Sequence, residues 1–135
     1  MELKELIDTA IENKIYLIGE NKIQETEKKT KEYKNRKKVK IHFIGRLQSN
    51  KTKKAVKMYD TIETVSSLKI LNKINKEALK INKKQNIYIQ VNIGKDKKKQ
   101  GFLINEVKEI CLQAKTKKNI KNKGLMTILP NKIKK

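Results

Sequence analysis

Asn86-Ile87-Tyr88-Ile89-Gln90-Val91-Asn92-Ile93 is the clearest strand signature in the chain. Strict alternation puts Ile87, Ile89, Val91 and Ile93 on one face, suited to packing on helices, and Tyr88, Gln90 and Asn92 on the other. Both flanks read as amphipathic helix. Upstream, Ser66-Ser67 offers a cap to a segment carrying Leu68, Ile70, Leu71, Ile74, Ala78 and Leu79 at helical spacing. Downstream, a lysine-rich loop and Gly101 lead into residues 103 to 116, with Leu103, Val107, Ile110, Cys111 and Ala114 on one side.

The same unit recurs toward the N-terminus. Leu3, Leu6, Ile7, Ala10 and Ile11 predict a helix over residues 2 to 13. Ile15-Tyr16-Leu17-Ile18, ending at Gly19, predicts a strand buried on both faces. Glu20-Asn21 offers cap chemistry for a polar helix from about Lys22 to Tyr33. A second strand runs from Val39 to Gly45, with Ile41 and Phe43 on one face and His42 and Ile44 on the other. A helix follows over residues 49 to 58, then a third, weaker strand at Thr61-Ile62-Glu63-Thr64-Val65. A fifth strand, interrupted by Gly124, closes the chain from Ile120 to Ile128. Helix and strand alternating five times imply an α/β fold, a parallel sheet with helices outside it, either doubly wound or a (β/α) barrel. No linker marks a domain boundary.

Composition narrows the function. The 135 residues carry 35 Lys and Arg against 14 Asp and Glu, a net charge of +21. Only Arg36 and Arg46 are arginines, and aromatics make up 4%. A nucleic-acid site usually adds arginine for bidentate phosphate contacts and aromatics for stacking. Here lysines occupy every segment, from Lys28-Lys29 to Lys134-Lys135, as a solvated surface enriched by A+T-rich coding would. The single Cys111 excludes a disulfide framework, and no carboxylate, His or Cys set is spaced for a metal. No run approaches the ~18 apolar residues of a membrane span. The charged N-terminus lacks a signal-peptide core, so the expected location is cytoplasmic.

In parallel α/β folds ligands meet the C-terminal strand ends. Those ends carry a polar set: Gly19-Glu20-Asn21, Gly45-Arg46, Ser66-Ser67, Asn92 and Met126-Thr127. Asn21 and the other chemistry-bearing positions of the chain also have plainer readings. Asn21 can be a helix cap, His42 a satisfied core histidine, Cys111 core packing, and Ser49-Asn50-Lys51 a cap with Lys51 as an alternative anion contact.

Gly19-Glu20-Asn21-Lys22-Ile23-Gln24-Glu25 and Ile41-His42-Phe43-Ile44-Gly45-Arg46-Leu47-Gln48-Ser49-Asn50-Lys51 resemble the paired signatures of the YggS/PROSC-type pyridoxal phosphate homeostasis proteins. Gln90-Val91-Asn92-Ile93, Lys99-Gln100-Gly101-Phe102 and Gly124-Leu125-Met126-Thr127 resemble the family's later motifs, in order. The resemblance implies a cytosolic (β/α)8 barrel like the N-terminal domain of alanine racemase. It also implies pyridoxal 5′-phosphate (PLP) as cofactor, and a role in PLP and amino-acid homeostasis with no firmly assigned reaction. Carried over position by position, it makes Asn21, Ile44, Gly45, Asn92 and Met126 the cofactor-binding residues, with no catalytic or metal-ligating residue.

In the family the Schiff-base lysine lies on the first strand, in a Val-Ser-Lys-Thr type motif, and the phosphate cup comes from the last two strands. Neither has a counterpart between Met1 and Lys135. The expectation is therefore an incomplete (β/α)8 TIM-type barrel of about five parallel strands over residues 1–135. It lacks the first strand and the last two, is shorter than the ~250 residues of a whole barrel, and keeps two unpaired edges. A truncated, non-enzymatic PLP-binding member is the leading reading, with PLP as small-molecule partner and a complementary fragment as a further one. A non-binding remnant of a split gene and a basic nucleic-acid module are the alternatives.

Overall fold

The computed structural model describes residues 2–23, 27–94 and 100–129. Helix and strand alternate as α1 (Leu3–Glu12), β1 (Leu17–Glu20), α2 (Glu27–Glu32), β2 (Lys40–Phe43), α3 (Thr52–Met58), β3 (Thr61–Val65), α4 (Leu68–Lys80), β4 (Gln85–Gln90), α5 (Val107–Thr116) and β5 (Ile120–Met126). Short 3₁₀ turns stand at Arg36–Lys38, Ser49–Lys51 and Ile104–Glu106. All strands run parallel in the order β1-β2-β3-β4-β5. This order decides between the two sequence-compatible architectures. A doubly wound sheet reverses direction at a switch point, whereas here each strand is laid beside its predecessor. Right-handed crossovers all advancing one way place every helix on the same side of the sheet. The result is an open arc of a (β/α) barrel, with β1 and β5 each paired on one side only among the described residues.

The helix-facing side is the core. Ile18, Ile41, Phe43, Ile62, Ile87, Ile89 and Ile120 from the strands meet Leu3, Ile7, Val56, Leu71, Ile74, Ala78 and Ile110 from the helices, all buried. The expected cap also forms: Ser67 Oγ accepts from the Ile70 amide at 3.2 Å. One expectation is corrected. Tyr16 and Leu17 are 53% and 57% exposed, and in that segment only Ile18 is buried. Burial on both faces needs a layer on each side, and this sheet carries helices on one side. The expected cap role of Asn21 also falls away, because Lys22 and Ile23, which follow it, are not helical. Gln24–Thr26 and the lysine-rich loop at 95–99 lie outside the described residues. Leu68, Leu79 and Leu103 share the helical spacing but sit on the flanks and stay exposed.

Two polar devices fix the layers. Asp8 on α1 accepts from Tyr33 Oη at 2.5 Å and from Asn35 Nδ2 at 2.9 Å, tying the first helix to the segment that enters β2. Those bonds, the Tyr33 one foremost, hold the Asp8 carboxyl below its ordinary value. The buried Arg36 spans the sheet's N-terminal end, donating to Val39 O, Met58 O and Asp60 Oδ2, while Asp60 also accepts from the Ile41 amide. No helix among the described residues is long and apolar enough to cross a membrane.

Two outcomes follow for urea unfolding. Ile87→Ala, at a position with no exposure, lowers stability by about 2–5 kcal/mol, while Leu79→Ala, 63% exposed, stays within about 0.5 kcal/mol. Asp8 contributes while ionised, so its contribution is present above its ordinary value of 3.8 and lost as pH falls through the lower folded value. The gap in midpoint between the native chain and Asp8→Asn therefore closes below pH 3.8.

Candidate functional site

At the C-terminal ends of β2, β3 and β4 a cleft of about 260 Å³ opens between Ile44, Arg46, Leu47, Thr64, Ser66, Gln90, Val91, Asn92, Gln100 and Ile128. Backbone pairing beyond the strands shapes it. The Ile44 amide donates to Glu20 O, the Val91 amide to Met126 O, and the Asn92 amide to Phe102 O. The Phe102 amide returns a bond to Gln90 O, so the chain re-entering after the loop is laid alongside the end of β4.

Two glycines permit the close approaches. A Cβ on Gly45 would lie 2.1 Å from Asn21 O, inside any contact distance. Gly101 has φ +127° and would put a Cβ 2.8 Å from the Asn92 nitrogen. Side chains complete the walls: Thr64 Oγ1 donates to Gly45 O at 2.6 Å, Gln90 Nε2 to Gln100 O at 3.4 Å, and Ser66 Oγ to Gln100 Oε1 at 3.3 Å.

Of the residues expected at the site, Ile44 and Asn92 line this cleft. Gly45 stands behind it, its carbonyl held by Thr64. Asn21 is exposed and contributes the backbone on which Gly45 rests. Met126 pairs with Gln90 in register but lines a separate apolar groove of about 520 Å³ with Val91, Ile93, Ile104, Val107 and Leu125. Lys51 belongs to the turn before α3 and is not among the lining residues. Thr64 escaped the sequence reading because the β3–β4 register shifts between Ile62 and Val65, breaking simple alternation. Gln100 and Ile128 arrive from outside the strands. Arg46 and Ser66 already belonged to the strand-end polar set, and Gln90 was placed with Asn92 on the polar face of its strand.

His42, on the helix-free face, meets Glu63 of the neighbouring strand with Nδ1 to Oε2 at 2.8 Å, both about three-quarters covered. It is a satisfied histidine, and no metal-binding cluster occurs among the described residues. Cys111 is partly buried against the core, with Asn122 Nδ2 3.8 Å from its sulfur.

The cleft's donor set suits a flat, polar-edged ring. Ile44, Leu47, Val91 and Ile128 provide apolar walls, while Thr64, Ser66, Gln90, Asn92 and Gln100 add polar groups to the lining. Among the described residues Arg46 is the cation lining the cleft, and no described lysine lines it.

Residues 1–134 match the alanine racemase N-terminal domain family. A pyridoxal phosphate homeostasis protein of Synechocystis is 38% identical over 112 residues, 83% of this chain and 51% of the relative. One from Schizosaccharomyces pombe is 41% identical over 114 residues, covering 82% and 46%. Among solved structures, PipY of Synechococcus elongatus with PLP bound superimposes with a TM-score of 0.83 at 26% identity, over 96% of this chain and 59% of PipY. Alanine racemase of Clostridium difficile shares the fold, with a TM-score of 0.68 at 20% identity, over 91% of this chain and 31% of the racemase. The chain spans about half the length of the curated relatives it matches. It belongs to the alanine racemase N-terminal domain family, within the YggS/PROSC group of pyridoxal phosphate homeostasis proteins.

Proposed function

We propose that the cleft at the C-terminal strand ends is the ring-side wall of a PLP site and that the chain serves PLP homeostasis by reversible binding rather than by a reaction of its own. The observation that carries this reading is the meeting of Ile44 and Asn92, from two separate family motifs, in one cleft that also contains Arg46. The similarity to PipY, a protein solved with PLP bound, supports it. Neither the remnant reading nor the nucleic-acid reading gains anything from the relatives, which are named for PLP homeostasis. Cytoplasmic location stays part of the proposal, as does a partner carrying further strands alongside the open edges of β1 and β5.

In this reading Ile44, Leu47 and Val91 exclude water from the ring faces, and burial of such apolar surface is worth about 25 cal/mol per Å². Asn92 and Gln90, both buried, orient polar substituents. Gln90 is itself held by Gln100 O, so its amide is oriented before any ligand arrives. Arg46 offers a planar guanidinium to an anion. Bound PLP supplies an aldehyde and an electron-withdrawing pyridine ring.

Pyridoxine 5′-phosphate tests the site cleanly, because it lacks the aldehyde and cannot react with surface lysines. In NMR titrations of the chain, amide shifts concentrate at Ile44, Thr64 and Asn92. Asn92→Ala weakens binding by roughly tenfold, the value of about one lost hydrogen bond. Arg46→Ala weakens pyridoxine 5′-phosphate while leaving unphosphorylated pyridoxine unchanged. Shifts scattered over the lysine-rich surface and indifferent to Asn92→Ala would refute the assignment.

A further inference from the structure

At the opposite, N-terminal end of the sheet two adjoining hollows of about 360 and 400 Å³ share Lys40, Asp60 and Lys83. They take no part in the cleft above. Lys83 stands just ahead of β4, and its amine turns inward to the C-terminal end of α3. Nζ donates to Val56 O and to Tyr59 O at 2.7 Å. Arg36, Lys37, Lys40 and Lys57 line one hollow, and Lys84 and Lys123 the other. Asp60 is the carboxylate common to both, and it is engaged by Arg36 and the Ile41 amide. An amine held under cover among other cations is the arrangement that keeps lysine neutral and nucleophilic toward carbonyl carbon.

We propose that Lys83 is a covalent site for small anionic aldehydes, forming an imine while the surrounding cations hold the ligand's phosphate or carboxylate. The Nζ lone pair attacks the aldehyde carbon, forming the C–N bond. The carbonyl oxygen then departs as water with both hydrogens of the neutral amine, leaving C=N with no change of oxidation state. Once it takes up a proton from solvent, the imine nitrogen carries one N–H, enough for one of the two carbonyls. The other is not stranded if it is Tyr59 O, because Gln85 Nε2 also donates there at 3.3 Å.

Electrostatics point the same way. Burial foremost, and then repulsion from Arg36 and Lys31, pushes the Lys83 amine down to about 8 against the opposing pull of Asp60. At pH 8 roughly half of Lys83 is neutral, where an ordinary lysine is neutral in about one molecule in 300.

The proposal does not rest on the PLP reading, and its test uses other aldehydes. The intact chain is incubated at pH 8 with limiting glyceraldehyde 3-phosphate, or with glyceraldehyde, trapped with cyanoborohydride, and mapped by peptide mass spectrometry. With the phosphorylated probe, Lys83 is expected to carry about tenfold more adduct than the mean of the other lysines. That preference falls with glyceraldehyde and with the double variant Lys40→Ala, Lys57→Ala. Lys83→Arg keeps donors for the α3 carbonyls and removes the preferred adduct while thermal unfolding stays cooperative. Even labelling across the lysines, or equal preference with the two aldehydes, overturns the proposal. The native-chain map decides the matter without any variant.

Discussion

A parallel sheet whose strands are laid down in chain order can be covered by its own crossovers on one face only. Five strands in the order β1 to β5 put α1 to α5 on the same side, and the rest of the molecule depends on that asymmetry. The covered face collects the isoleucines. The bare face admits Lys40, the His42–Glu63 pair and Tyr88, which a two-sided hydrophobic sandwich would exclude. It also leaves the two ends of the sheet chemically unlike. At the C-terminal end, backbone pairing and small residues enclose a modest, mixed-polarity cleft. At the N-terminal end, Arg36 and Lys83 both donate to carbonyls at the end of α3, and the fixed positive charge of Arg36 complements the helix C-terminus.

The fold was largely legible because periodicity reports burial, and burial here is one-sided. Thr61–Val65 and the helices around it stand where the alternation of Ile, Leu and Val placed them. The failure at Tyr16 and Leu17 has the same root. An apolar run signals a strand but carries no information about how many layers cover it or whether another strand lies beyond. Ile18 is buried and Leu17 is not because successive residues of β1 face opposite sides of a sheet that carries helices on one side.

The site was legible in part for a different reason. Ile44 and Asn92 lie directly past strands, where parallel topology alone predicts convergence. Thr64 depended on a register shift that no local pattern announces, and Gln100 on a loop that folds back to pair with the end of β4. Glu63, the partner of His42, lies 21 residues away. Only the pairing of His42 with Thr61 in adjacent strands places it two positions farther along the same face. Lys83 was hidden by number, since one lysine among so many carries no distinguishing mark until its burial is known.

Gly45 rests on the main chain of Asn21, and the ends of β2 and β4 are joined to their neighbours through amides and carbonyls. Geometry written in the backbone is indifferent to what most side chains become. A lineage under pressure toward A+T-rich codons can therefore replace its exterior with Lys, Asn and Ile almost freely while the strand ends keep their shape. Such drift meets resistance at the few positions where glycine admits one chain to another. The extreme composition and the orderly sheet are compatible outcomes, because substitution and architecture act on different atoms.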